Sequence, residues 1–477
     1  MRPTELARET GPILWRRSLA WLALLAPLFF ISYNFANQYA ANQTDVPSLM
    51  LAWEMYIPLV PWTIIPYWSI DLLYGLAFLL PRSRCGIDRL GLRLLSAQVI
   101  CISCFLIWPL KFSLARPELT GVFGTMFDVL MGFDKPFNQA PSLHITLLVV
   151  LWACFADFLR GPWRYVMHVW MALIGISVLT TWQHHFIDVP SGILAGAFCL
   201  WCWPKGRPSP LLAWQGRMKP RLRLASYYLS GSVLFGLLGW TGFELNTGLS
   251  LLLFWPCASL LLVALNYAVV GAAGFQKQAN GQLSLAAKML YAPYTLAAWV
   301  NHKLWTANQL PANEVVPGVF LGRKPDRYEA QNYVALMDLC PELPVTVPAK
   351  CHYQQLELLD LAPLTAAQCW SAAKAIDSLN PTREVPLLVF CALGYSRSSV
   401  ALMAWLLLAG YADSVDQAYA LVSKARPQVV IKPYHLTTLA ELISSDDFIA
   451  YQRHRSQVSK QNQQQRKMAA MQTKVQA

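Results

Sequence analysis

The sequence predicts a polytopic α-helical membrane domain followed by a cytoplasmic α/β domain, and three observations carry that prediction. Hydrophobic residues make up 55% of the 477 and charged residues only 13%, too apolar a balance for a chain soluble throughout. Apolar segments at about 17–36, 57–81, 92–112, 141–160, 163–183, 185–204, 226–243 and 247–271 are each long enough, or nearly so, to cross hydrocarbon as a helix. Far downstream the pattern changes: Leu387 to Phe390 reads as a buried strand and Ser398 to Leu408 as an apolar helix, with a tight loop between them.

The first segment follows Arg2, Arg8, Arg16 and Arg17 as a signal peptide would, but its apolar core is long and more spans follow, so it reads as an uncleaved anchor. Loop charge then sets orientation. Arg82, Arg84, Arg89 and Arg93 crowd one connection, Arg160 and Arg164 another, and Lys205, Arg207, Arg217, Lys219, Arg221 and Arg223 a third, whereas 37–56 holds no Lys or Arg. The basic loops face the cytoplasm, and eight spans return the chain there, so both termini are expected inside a bacterial inner membrane. The net charge of +12 does not indicate a nucleic-acid partner, because the basic residues lie in these loops and in the C-terminal tail.

Seven of the eleven cysteines precede residue 260, mostly inside apolar segments. Cys101/Cys104 and Cys199/Cys202 imitate a four-cysteine zinc site, but on their helices the pairs fall at depths about 7 Å apart, so core packing is the reading. No metal or other cofactor is expected. Leu283 to Trp305 interleaves Leu285, Met289, Leu290, Tyr294, Leu296, Trp299, Leu304 and Trp305 with Lys288, His302 and Lys303, and reads either as an interfacial helix broken near Pro293 or as a plain linker helix. After about Ser456 the chain is polar, basic and Gln-rich, a disordered tail.

The loop after the downstream strand is Cys391-Ala392-Leu393-Gly394-Tyr395-Ser396-Arg397-Ser398. A strand, tight loop and helix form an anion cradle, because backbone N–H groups converge on one phosphate at a helix N-terminus. That field favours a thiolate at Cys391; Arg397 can grip two phosphoryl oxygens, and Ser398 can stabilise a departing thiolate. From about Val315 to Leu442 the chain resembles the dual-specificity branch of the cysteine-dependent protein tyrosine phosphatases, through this loop, Pro317-Gly318-Val319-Phe320-Leu321-Gly322 and Arg426-Pro427. The resemblance implies that Cys391 is the nucleophile, Arg397 and the loop from Ala392 to Ser396 bind phosphate, and Asp360 is the general acid. Phe390 stands where that family usually has His.

Three stretches of the membrane half carry polar groups: Lys111 with Arg116, Ser142 with His144, and His184, His185 and Asp188 ahead of Gly192. The topology above puts all three at the outer face. His184 and Asp188, four apart, share a helix face, so the carboxylate can orient the imidazole. Two histidines, a carboxylate and nearby cations are a minimal kit for phosphoryl transfer. Over about residues 50–204 the pattern resembles the type-2 phosphatidic acid phosphatase superfamily. The resemblance implies His184 as nucleophile, Asp188 as its orienting partner, His144 as general acid, and Ser142, Arg116 and Lys111 as phosphate ligands; His185 is the weaker nucleophile. Leu143 for Gly, Val178 for Arg and the short Lys111 to Arg116 spacing depart from that pattern and resemble the branch that includes inositol phosphorylceramide synthases.

The expected organisation is a membrane lipid phosphatase or phosphotransferase core over 1–204, an added transmembrane hairpin over 205–275, a linker helix over 276–310, a dual-specificity phosphatase domain over 311–450 and a basic tail over 451–477. The expected substrates are a phospholipid or isoprenoid phosphate at the membrane site, and a phosphoprotein or phosphorylated lipid head group at the cytoplasmic site. The other reading is a membrane protein that senses phosphate, its cysteine cradle binding without turnover.

Overall fold

The computed structural model describes residues 12–212, 219–245, 248–380 and 385–453. Arg2, Arg8, Arg217 and the tail from residue 454 lie outside the described residues. The chain divides into two compact units, Met1–Gly216 with Ser226–Leu265 and Leu285–Pro293, and Arg217–Ala225 with Asn266–Ser284 and Tyr294–Ala477. Residues 266–284 group with the C-terminal unit, 285–293 with the N-terminal unit, and 294–306 with the C-terminal unit again.

Helices dominate the N-terminal half: α1 (Trp15–Ala41), α2 (Ile64–Ala77), α3 (Arg84–Ile107), α4 (Gly121–Phe133), α5 (Leu143–Phe158), α6 (Pro162–Thr180), α7 (Asp188–Cys202), α8 (Lys219–Glu244) and α9 (Phe254–Leu265). Four stretches among the described residues are long and apolar enough to span a membrane: α1, α3, α6 and Leu249–Val270. The sequence suggested eight. At 14, 16 and 15 residues, α2, α5 and α7 are shorter than the apolar runs containing them. Part of each run is spent on turns and caps. Pro61 opens a 3-10 turn ahead of α2, Ser142 caps α5 by accepting from the Ile145 N–H at 3.2 Å, and residues 184–187 form the turn that enters α7. Cys101, Cys154 and Cys199 pack in the buried helical core.

Two glycines set the approach of α7 to α5. A Cβ on Gly192 would lie 2.8 Å from the Ser142 carbonyl oxygen, and one on Gly196 would lie 2.9 Å from that of Thr146. Only glycine lets α7 lie this near α5. The Ser142 N–H reaches the Asp188 carbonyl at 3.2 Å and the Thr146 hydroxyl reaches that of Gly192 at the same distance, fixing the start of α7 against the start of α5.

The connector forms α10 (Leu285–Leu290) and α11 (Ala292–Thr306), separated at Tyr291. On α11, Leu296, Trp299, Val300, Leu304 and Trp305 are exposed, while His302 is buried. His302 is thus buried although its neighbour Lys303 is exposed.

The C-terminal unit is a five-stranded sheet of β1 (Ala312–Val316), β2 (Val319–Arg323), β3 (Ala335–Asp338), β4 (His352–Gln355) and β5 (Leu387–Cys391), in the order β1-β2-β5-β3-β4. The β1–β2 pair is antiparallel and the other pairings are parallel. α12 (Ala366–Leu379), α13 (Arg397–Ala409), α14 (Val415–Ala425) and α15 (Pro433–Ile443) complete the unit. Strand alternation divides the core. Leu387, Val389 and Cys391 join the cluster containing α12 and α13, while Leu388 and Phe390 join Leu336 and Val345 in a second cluster. Every residue of α13 is buried, which explains its unbroken apolar run. The nucleophile candidate therefore leaves the carboxyl end of the central strand and meets the N-terminus of a central helix, a position where α/β sheets bind ligands.

Candidate active sites

In the C-terminal unit, Cys391 is 3% exposed. Its Sγ accepts from the Gly394 N–H and from the Ser398 hydroxyl, each at 3.3 Å. The following carbonyls are held away from this centre. That of Ala392 contacts His302 Nδ1 at 2.8 Å and the Lys324 N–H at 3.3 Å. Those of Leu393 and Gly394 accept from Arg426 at 3.3 and 3.1 Å, and that of Tyr395 accepts from the Val430 N–H at 2.8 Å. Turning four successive carbonyls outward leaves the loop N–H groups for an anion. Gly394 has φ +75, and a Cβ there would lie 2.5 Å from the Gly322 backbone, so the loop needs glycine at this point.

Arg397, 1% exposed, places two nitrogens on Glu342 at 3.0 and 2.6 Å, one on the Leu358 carbonyl at 2.9 Å, and one on Asp360 Oδ1 at 3.1 Å. Burial opposes ionisation of Glu342, but the Arg397 guanidinium wins and holds its carboxyl below the usual carboxylate range. For Asp360, burial outweighs the same guanidinium and moves the carboxyl upward, the direction a proton donor needs, although its side chain remains 40% exposed. Burial pushes His302 down to about 4, so its Nδ1–H donates to the Ala392 carbonyl from a neutral ring. Phe390 points into the opposite apolar cluster, away from the nucleophile's face. Tyr395 turns its hydroxyl to the Trp305 carbonyl at 3.0 Å, and Ser396 opens α13.

In the N-terminal unit, His184 places Nδ1 3.2 Å from Asp188 Oδ2 and Nε2 3.0 Å from Ser142 Oγ. With Asp188 accepting, Nε2 carries the lone pair, as an attacking imidazole requires. His144 stacks on Tyr67 with centroids 4.1 Å apart, and its Nε2 is buried without a partner among the described residues. Arg116 donates to the Trp182 carbonyl at 2.9 Å, while its Nε, like Asp188 Oδ1, is also buried and unpartnered. Lys111 is exposed and its side chain joins none of these contacts, so the structure does not bring it to the others. His185 holds a separate set: Nδ1 lies 2.8 Å from Glu54, and Nε2 lies 3.1 Å from the Ser113 hydroxyl and 3.2 Å from that of Ser48.

Sequence reasoning missed Glu342, His302 and Glu54. Glu342 stands alone between Pro341 and Pro344 in an apolar stretch, and Glu54 is an acid in a segment without Lys or Arg. Those isolated charges were the available signals.

No family model and no curated protein matches this chain. Among solved structures, human DUSP28 is similar at 20% identity and TM-score 0.25, covering 28% of this chain and 93% of that one. Tk-PTP in its active form is similar at 22% and 0.26, covering 28% and 95%. PTPMT1 in complex with PI(5)P is similar at 16% and 0.26, covering 31% and 99%. At such scores the likeness carries no conclusion about activity, which rests on the residues themselves.

Proposed function

We propose that this chain is a bifunctional membrane phosphatase, with a cysteine-dependent phosphoric ester hydrolase in the C-terminal unit and a histidine-based lipid phosphate site in the membrane half. The observation that carries the first activity is the Cys391 loop: its carbonyls are fixed outward, two donors point at Sγ, and Arg397 at its end is held by Glu342. Cys391 Sγ attacks phosphorus as the P–O ester bond breaks, and the departing alkoxide takes the proton of Asp360. Water then attacks the phosphocysteine, releasing phosphate and a thiolate that the Ser398 hydroxyl stabilises. A phosphoprotein or a phosphorylated lipid head group fits this chemistry.

At the second site His184 Nε2 attacks phosphorus, His144 protonates the leaving oxygen, and water or an acceptor alcohol resolves the phosphohistidine. Its support is a His184 already oriented by Asp188, together with buried polar atoms of His144, Arg116 and Asp188 that have no partner among the described residues. A phospholipid or isoprenoid phosphate is the proposed substrate, as hydrolase or as transferase. The loop charges support an orientation with both termini inside, in a bacterial inner membrane, and an impermeant thiol reagent applied to intact and permeabilised cells, with a cysteine introduced in 37–56 or in the connection that holds Lys205 and Arg207, tests it.

Assay of the purified full-length chain against an aryl phosphate, with Cys391→Ser as control, tests the first activity. Turnover lost in the variant supports the reading. Tight phosphate binding with no turnover in the wild type would make the cradle a sensor.

A further inference from the structure

The connector that precedes the sheet reaches the parts of the cysteine site one by one. Tyr267, 1% exposed, points its hydroxyl at the Asp360 carbonyl oxygen, 3.0 Å away. Lys277, also 1% exposed, pairs with Asp338 at 2.5 Å and donates to the carbonyls of Cys340 and Leu343 at 2.6 and 2.7 Å, on either side of Glu342. His302 reaches the Ala392 carbonyl at 2.8 Å, and the Trp305 carbonyl accepts from the Tyr395 hydroxyl at 3.0 Å. Acid loop, arginine clamp and nucleophile loop are thus each held from residues 267–305.

The Tyr267 contact meets the most strained of these places. Leu361, immediately after Asp360, has φ +55, a left-handed conformation costly for a branched side chain, and it is 66% exposed, so local packing does little to hold it. The carbonyl that Tyr267 binds belongs to the peptide joining Asp360 to Leu361. Fixing that carbonyl fixes the peptide plane and with it the direction in which Asp360 leaves the backbone. Tyr267 itself lies in the π-helical turn Asn266–Val270, the end of the apolar stretch Leu249–Val270.

We propose that Tyr267 is a positioning residue for the general acid, so that proton donation in the cysteine site depends on the last turn of an apolar, candidate membrane helix. The proposal rests on the reading of Cys391 as nucleophile and Asp360 as acid. Tyr267 touches no reacting atom. Its loss should therefore affect only reactions whose leaving group needs a proton, and should leave the attack by Cys391 intact.

The test uses the full-length chain and Tyr267→Phe, which keeps the buried ring and removes only the hydroxyl. Two substrates are compared, p-nitrophenyl phosphate, whose leaving group departs as an anion, and phenyl phosphate, whose leaving group needs protonation. The variant should stay within about 2-fold of wild type on the first and fall about 10- to 100-fold in kcat on the second, part of the general-acid contribution. Adding Tyr267→Phe to Asp360→Asn should cost nothing further, because the two residues act as one unit. Equal losses on both substrates, additive losses in the double variant, or no loss at all would overturn the role of Tyr267 while leaving the phosphatase reading in place. Absence of Cys391-dependent turnover in the wild type would overturn both. Hydrogen exchange supplies a readout independent of turnover: backbone amides at 360–362 should exchange faster in Tyr267→Phe, and unchanged protection there also overturns the proposal.

Discussion

The guanidinium of Arg397 is gripped by the carboxylate of Glu342 through two nitrogens, at 3.0 and 2.6 Å, with both side chains buried. A planar fork held in this way keeps its orientation without a ligand, its Nε–H is left without a partner among the described residues, and an anion would take over the nitrogen that now pairs with Asp360. Removing the acid leaves a buried cation without its closest counter-charge, which typically costs about 3–5 kcal/mol. Glu342→Ala should lower the thermal stability of the C-terminal unit by an amount of that order and weaken competitive inhibition by inorganic phosphate. The pH dependence has a definite sign. Because the folded-state carboxyl of Glu342 lies below its ordinary value, its stabilising contribution is present above the usual carboxylate range and disappears as pH falls through the depressed value. Unchanged melting and unchanged phosphate inhibition in the variant would mean that Arg397 is positioned by the Leu358 carbonyl instead.

Gly394 tests the loop itself. Its φ of +75 and the 2.5 Å approach to the Gly322 backbone leave no room for a Cβ, so Gly394→Ala must displace either the loop or β2. The left-handed conformation alone costs about 1–3 kcal/mol in a residue with a side chain. The variant should lose most aryl phosphatase activity with a smaller loss of melting temperature, because the loop can shift while the sheet remains. Full activity would show that the donors around Cys391 do not bind the phosphoryl group.

Asp360 should set the alkaline limb of the rate profile. Its carboxyl is moved upward by burial, so the protonated, donating form persists to higher pH than in an ordinary aspartate, and activity declines as pH rises through that raised value. Asp360→Asn should slow cleavage of phenyl phosphate by about 10² to 10⁴ and flatten the alkaline limb while sparing phosphate binding. A variant that keeps its alkaline decline places the titrating acid elsewhere.

The residues legible in the sequence are those whose chemistry is contiguous. The loop from Cys391 to Ser398 can be read in one run because a strand end, a glycine with positive φ and a helix start must follow one another to hold a phosphate. Glu342, Lys277 and Tyr267 could not be read that way, because the hydrogen bonds to Arg397, Asp338 and Asp360 cross the fold and exist only once the sheet and connector have packed. His302 could not be placed for the same reason: only the tertiary structure turns it inward, onto the Ala392 carbonyl. Hydropathy also counts what it cannot partition. The apolar run over 57–81 contains a helix of only 14 residues because Pro61 starts a separate 3-10 turn, so apolar length overstates helix length.

His184 and His185 are neighbours with opposite expected roles, and the difference lies in their second nitrogens. Each turns Nδ1 to a carboxylate, Asp188 for His184 and Glu54 for His185. Beyond that, His184 Nε2 meets one hydroxyl, that of Ser142, two residues before His144, whose own Nε2 is without a partner among the described residues. His185 Nε2 is surrounded by the Ser113 N–H and the hydroxyls of Ser113 and Ser48, and Phe112 stacks on its ring at 4.4 Å. An imidazole so occupied ties the 48–54 and 112–113 stretches to the entry of α7, and has no lone pair left for phosphorus. His185→Asn should therefore destabilise the membrane unit by about 1–3 kcal/mol, the cost of leaving a buried group such as Glu54 without its partner. His184→Asn should melt near wild type, since Asp188 keeps the His185 N–H at 3.0 Å, but should release or transfer no phosphate from a lipid substrate. Thermal unfolding in detergent, run beside a lipid phosphate assay on the same preparations, separates the two. A stable, inactive His185→Asn protein together with an active His184→Asn protein would exchange the roles and move the nucleophile one residue along the chain.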